Sequence, residues 1–155
     1  MIDPDHDALQ ALQAKLLAMP PARALQVRVA GCEGGRLRLE APLSANVNDK
    51  GTAFGGSLVS LMTLAAWGLT TLRLDQAGLQ ADVYVADTQV RYLAPVLTDL
   101  HADAWLAGDA GWEGFLSTLR ERGKARATLL SHVRLPGGRV ACEAQARYAA
   151  IRKPG

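Results

Sequence analysis

From Gly51 to Leu72 the chain runs for 22 residues without a charged side chain. That run constrains the fold more than any other feature, because so much apolar surface must leave water together. Its length would let a helix cross a bilayer. It also carries four glycines and six serines or threonines, and strands that alternate polar and apolar residues follow it. A helix that is apolar around most of its circumference is a buried one. The expectation is a central helix from Gly55-Gly56 to about Leu74, with no membrane span. Of the 155 residues, 49% are apolar, which excludes a disordered chain. One domain over residues 1–155 can bury roughly 70% of its unfolded surface.

The flanking sequence supplies strands. Asp3-Pro4 reads as an N-cap followed by proline at the first helical position, with Leu9, Leu12, Leu16 and Met19 at helical spacing. Pro20-Pro21 is expected to stop that helix, which makes residues 1–21 an N-terminal helical extension. Leu25, Val27 and Val29 then alternate as a strand, and Gly34-Gly35 turns into a partner carrying Leu37 and Leu39. Residues 42–54 form a loop rich in Ser, Asn, Asp and Gly. After the helix, residues 82–93 alternate, with Tyr84, Ala86, Val90 and Tyr92 on one face and Val83, Val85, Asp87, Gln89 and Arg91 on the other. Further strands are expected at 100–106, 124–135 and 139–148, with a short helix or turn at 112–120. The architecture is α+β, an antiparallel sheet wrapped around a long central helix. Such a sheet has open edges, and pairing them between subunits gives a homodimer, or a dimer of dimers.

Charge is split along the chain. Residues 1–119 carry 8 basic and 13 acidic side chains, and residues 120–155 carry 9 basic and 2 acidic. Lys124, Arg126, Arg134, Arg139 and Arg147 punctuate two patterned strands, so the basic end is a folded surface suited to a phosphorylated partner. Aromatic residues make up only 5%, too few for a base-stacking platform, and nucleic acid is not an expected partner. Cys32 and Cys142 are far apart and set among apolar residues, as buried free thiols of a reducing cytoplasm are. The acidic start, Met1 to Asp7, lacks the basic opening of a signal peptide. His6, His101 and His132 have no metal-ligand spacing, and no phosphate loop, dinucleotide fingerprint or serine-hydrolase elbow is present. Neither a metal nor a cofactor is expected.

The run Asn48-Asp-Lys-Gly-Thr-Ala-Phe-Gly-Gly-Ser57 opens the uncharged helix, and Ala86-Asp-Thr-Gln-Val-Arg-Tyr-Leu-Ala-Pro95 follows it. With Trp67 and Gly123-Lys-Ala-Arg126, these resemble the hotdog-fold thioesterases over residues 22–151. The closest likeness is to thioesterases related to the C-terminal domain of YiiD. The resemblance implies hydrolysis of an acyl-CoA or acyl-carrier-protein thioester. It makes the Gly55 N–H the oxyanion donor, with Gly56 beside it, in keeping with the free N–H groups of a helix start. Paired glycines can also serve only to let the helix start close to the sheet. Asn48 is implied to orient water or the thioester oxygen; its plainer reading is an Asx-turn, as it is for Asp49.

Two positions depart from the family pattern. The usual histidine before Gly-Gly is Phe54, which offers packing for a thioester but no polar contact. The helix carboxylate of related enzymes is Thr63, which can hold a water or simply pack; a strand serine used by some relatives is Val85. Asp87 is then the candidate base, acting on the partner subunit's site, against the alternative of a strand salt bridge with Arg91. Arg91, Lys124 and Arg126 are candidates for phosphate contacts, or a solvated strand face. A non-catalytic acyl-thioester binding module on the same fold is the alternative function, and a hotdog dehydratase is weakened by the missing histidine.

Overall fold

The computed structural model describes residues 2–154; Met1 and Gly155, the ends of the expected domain, lie outside them. Helix α1 spans His6–Leu17 and α2 spans Pro20–Leu25. Strands β1 (Arg28–Glu33) and β2 (Arg36–Ala41) form the expected hairpin. The central helix α3 runs Gly55–Gln76, followed by β3 (Ala81–Tyr92) and β4 (Leu100–Leu106). Helix α4 (Glu113–Arg122), β5 (Lys124–Arg134) and β6 (Val140–Arg152) complete the chain. The six strands make one antiparallel sheet in the order β1-β2-β4-β5-β6-β3, so β3 is an edge strand.

The start of the chain differs from expectation in two places. The cap of α1 is Asp5, whose Oδ1 accepts from the Ala8 N–H at 2.8 Å, and Pro4 lies before it. Asp3 instead accepts from the Gly34 N–H of the hairpin. Pro20-Pro21 does not merely stop a helix; the pair opens α2, because proline fits the first helical positions, whose N–H groups lack intrahelical acceptors. Leu25 is therefore helical, Gln26 turns the chain in a left-handed conformation, and the first strand begins at Arg28.

Helix α3 is long and apolar enough to cross a membrane, yet most of it is buried inside the fold. Leu58, Leu61, Met62, Ala65, Ala66, Leu69 and Leu72 are all buried among the inward residues of the sheet. Gly68 allows that closeness: a Cβ there would sit 3.0 Å from Leu37 and 3.3 Å from Leu12. One stripe stays open. Gly56, Val59, Ser60, Thr63, Leu64 and Trp67 recur at helical spacing and are partly or fully exposed. The Trp67 indole N–H donates to the Val83 carbonyl at 3.1 Å, tying this stripe to β3.

Strand β3 departs from simple alternation. Val85 pairs with Tyr148 and Asp87 with Arg147, leaving Ala86 as a bulge that exchanges the two faces. Val83 and Val85 sit opposite the inward residues Ala150 and Tyr148, so they face the helix side with Thr88, Val90 and Tyr92. Tyr84 lies on the outer face with Asp87, Gln89 and Arg91. The expected grouping of Tyr84 with Val90 and Tyr92 fails at that one inserted residue.

The outer face of the sheet carries a polar row. Arg38 donates two bonds to Asp103, at 2.9 and 3.2 Å, and His132 Nε2 lies 3.4 Å from the same carboxylate. Asp103 and His132 are both buried, and Trp105 meets the His132 ring edge-on at 4.7 Å while Arg36 stacks on Trp105. Burial pushes the Asp103 carboxyl up, but the His132 and Arg38 bonds outweigh it and hold it well below the usual carboxylate range. A carboxyl with a lowered folded pKa stabilises above its unfolded value near 4 and loses that stabilisation as pH falls further. Asp103→Asn is therefore expected to cost about 2 kcal/mol at pH 7. In urea titrations the gap to wild type should close progressively below about pH 4. A gap independent of pH would remove the ion pair as its cause.

Candidate active site at the start of the central helix

The loop before α3 is held by its own polar groups. Asn48 Oδ1 accepts from the N–H of Lys50 (2.8 Å) and of Thr52 (3.1 Å). Its Nδ2 donates to Thr52 Oγ1 at 2.8 Å and approaches the Ala53 carbonyl at 3.5 Å. Every polar valence of the side chain is used within the loop, which is the geometry of the Asx reading. Asp49 points to solvent beside Lys50. Asn46, which no sequence motif marks, is buried and donates to the carbonyls of Leu25 and Pro42. Its own carbonyl accepts from Phe54 at 2.7 Å, while the Ala53 N–H donates to Val96 at 2.8 Å. These bonds fix where α3 begins.

The cap itself is Phe54, with φ −64° and ψ 130°, and it offers no side-chain acceptor. Its carbonyl takes the N–H groups of Ser57 and Leu58. At the first two helical positions, Gly55 and Gly56, the N–H groups have no intrahelical acceptor. No side chain among the described residues bonds them. Both glycines are partly exposed. The Phe54 ring lies over Gly56, 2.5 Å from where a Cβ would stand, and the Tyr92 ring lies against Gly55 at 3.4 Å. The Tyr92 hydroxyl donates to the Gly55 carbonyl at 3.0 Å. Two unclaimed donors at the positive end of a 22-residue helix, between two aromatic rings, can stabilise an oxygen that gains negative charge.

The other expected site residues do not gather there. Thr63 is on the open stripe of α3, eight residues beyond Gly55 and so about 12 Å along the axis. It is out of hydrogen-bond reach of a group seated at Gly55 of its own chain; its carbonyl accepts from the buried Tyr148 hydroxyl at 3.3 Å. Asp87 lies on the outer face, chelated by the Arg147 guanidinium at 2.9 and 3.1 Å, and that bond holds its carboxyl below the ordinary range. Its ion-pair partner is Arg147 and not the Arg91 of the sequence alternative; Arg91 pairs with Glu143 at 3.6 Å. Lys124 and Arg126 are exposed on the same outer face, Arg126 opposite Ala149, across the sheet from Gly55. Clefts of about 420 and 510 Å³ share Arg38, Asp103 and Arg134, also on the outer face. Among the described residues, no group of three His, Cys, Asp or Glu is placed to hold a metal ion.

A long helix gripped on one side by a six-stranded antiparallel sheet, with open N–H groups at its start, is the hotdog architecture of thioesterases. Residues 9–152 match the family described as “Putative thioesterase (yiiD_Cterm)”. The chain belongs to that family. Among solved structures it is similar to a protein of unknown function from Chlorobaculum tepidum, at 25% identity and TM-score 0.89, covering 97% of this chain and 98% of that one. A “putative thioesterase” from Shewanella oneidensis is 26% identical, with TM-score 0.85 and coverage of 95% and 99%. A Pseudomonas aeruginosa protein described as “Probable Thioesterase” is 25% identical, with TM-score 0.78 and 99% of each chain covered.

Proposed function

We propose that the protein is an acyl thioesterase that hydrolyses acyl-CoA or acyl-carrier-protein thioesters. The observation that carries this reading is the pair of unclaimed N–H groups at Gly55 and Gly56, opening onto exposed apolar rings at the start of α3. The thioester oxygen binds there and becomes the oxyanion of the tetrahedral intermediate, stabilised by fixed donors and the helix dipole. Phe54 packs the thioester where relatives carry histidine. The acyl chain lies along the open stripe of Val59, Thr63 and Trp67, which a second subunit closes. Asn48 acts by shaping the loop. Arg91, Lys124 and Arg126, on the outer face away from Gly55, have no contact with the thioester in this reading, and the buried free thiols of Cys32 and Cys142 suit the cytoplasm.

Asp87 has no role at this site. Antiparallel pairing of two β3 edges needs a two-fold axis perpendicular to the sheet, which puts both helices on one face and both Asp87 side chains on the other. Asp87 therefore does not reach Gly55, and its place on the far face favours the second reading, a module that binds acyl thioesters without cleaving them. Thiol release from acyl-CoAs of graded chain length separates the two. Turnover that depends on chain length, unchanged in Asp87→Ala, is the expected result. Saturable acyl-CoA binding with no thiol released would establish the binding module instead.

A further inference from the structure

We propose that Tyr92 is a positioning residue that locks and polarises the Gly55–Gly56 peptide, making the Gly56 N–H a full second donor to the oxyanion. The inference rests on the thioesterase reading and adds a residue to it. A peptide unit joins the carbonyl of one residue to the N–H of the next, so the group that accepts from Tyr92 at 3.0 Å is the group whose other end is the Gly56 N–H. A hydrogen bond to the carbonyl draws electron density to oxygen and leaves the N–H more positive; cooperative strengthening of this kind is roughly 10–30% per bond. The same contact fixes the plane of the peptide. The Tyr92 ring stands 3.4 Å from where a Cβ of Gly55 would lie and the Phe54 ring 2.5 Å from where one of Gly56 would lie, so the peptide is flanked by both rings.

Position on the strand explains why this tyrosine can do so. The bulge at Ala86 turns Tyr92 to the helix side, at the last residue of β3. Immediately beyond, the N–H groups of Leu93 and Ala94 both donate to the Ala141 carbonyl, anchoring the strand end to the sheet. Partial burial, with Cys142 behind the ring, raises the hydroxyl pKa, so the group stays protonated as a donor at neutral pH. Half of the ring remains exposed, on the side where substrate would enter.

Tyr92→Phe keeps the ring and removes the bond. In steady-state thiol release with a medium-chain acyl-CoA, kcat is expected to fall about three- to tenfold with KM within twofold, the range of one modest hydrogen bond. The melting temperature should hold. In ¹H–¹⁵N spectra the Gly56 amide proton is expected to move upfield in the variant, while amides beyond the first turn of α3 stay in place. Wild-type kcat in Tyr92→Phe, or an unmoved Gly56 resonance, would overturn the proposal. If the wild-type protein releases no thiol, the thioesterase reading fails by itself, and the resonance alone decides whether the bond polarises the peptide.

Discussion

Gly55→Pro is expected to lower kcat/KM for acyl-CoA by about 100-fold or more while the fold melts within a few degrees of wild type. A backbone donor cannot normally be removed without cost, but this position permits it. The Gly55 N–H has no acceptor in the chain, so proline deletes no structural bond. Phe54 already has φ −64° and ψ 130°, the extended conformation that the residue before a proline prefers. A Cβ at Gly55 meets only the Tyr92 ring, at 3.4 Å. The chain uses the same device in α2, where Pro20 and Pro21 occupy the first turn. Loss of one oxyanion donor typically costs 10²–10³ in kcat. Gly55→Ala, which keeps the N–H, should retain most of the activity. Steady-state thiol release beside thermal melts measures both quantities. A proline variant within threefold of wild type would take the Gly55 N–H out of the reaction.

What the sequence made legible, and what it hid, follows from the range of each interaction. The buried helix could be read because 22 uncharged residues leave few alternatives, and its first residue, Gly55, is where the motif places it. The hairpin, β4 and the two C-terminal strands show alternation over enough residues to fix their faces. The bulge at Ala86, which parts Val83 and Val85 from the face of Asp87, Gln89 and Arg91, leaves no compositional mark. The Asp87 partner Arg147 is 60 residues away, beyond any spacing rule. Leu25 looks like strand in the sequence because a six-residue helix opened by two prolines shows too little period to compete with neighbouring alternation. Asn48 left two readings open, and only its four hydrogen-bonding groups in three dimensions distinguish them. Tyr92 was visible as part of a Tyr-x-x-Pro run, yet its contact with Gly55 depends on the register of the edge strand.

We propose that the chain pairs with its copy along that edge, which gives the second large expected effect: Val85→Lys should yield monomers and reduce thioester hydrolysis at least tenfold. The two edges of the sheet are unlike each other. β1 is six residues long, bulged at Ala30, and carries Arg28 and Glu33, the marks of an edge guarded against pairing. β3 is twice as long, and Val85, Tyr92 and the adjoining Leu93 are 46%, 56% and 42% exposed. The open stripe of α3 lies alongside it, joined through Trp67 and Val83. Pairing β3 with its copy would continue the sheet, satisfy its free N–H and C=O groups, and set the two stripes on either side of the seam. A lysine at Val85 places a charge on the helix side of that seam, where burying it without a partner is costly. It leaves the monomer's core untouched. Light scattering at micromolar concentration should report the halved mass, with circular dichroism unchanged. A dimer that survives Val85→Lys would place the interface elsewhere. Monomers with full activity would show that each chain closes its own acyl groove. Loss of both dimer and activity is the expected outcome, because the stripe holding Val59, Thr63 and Trp67 stays only partly covered by the described residues of its own chain.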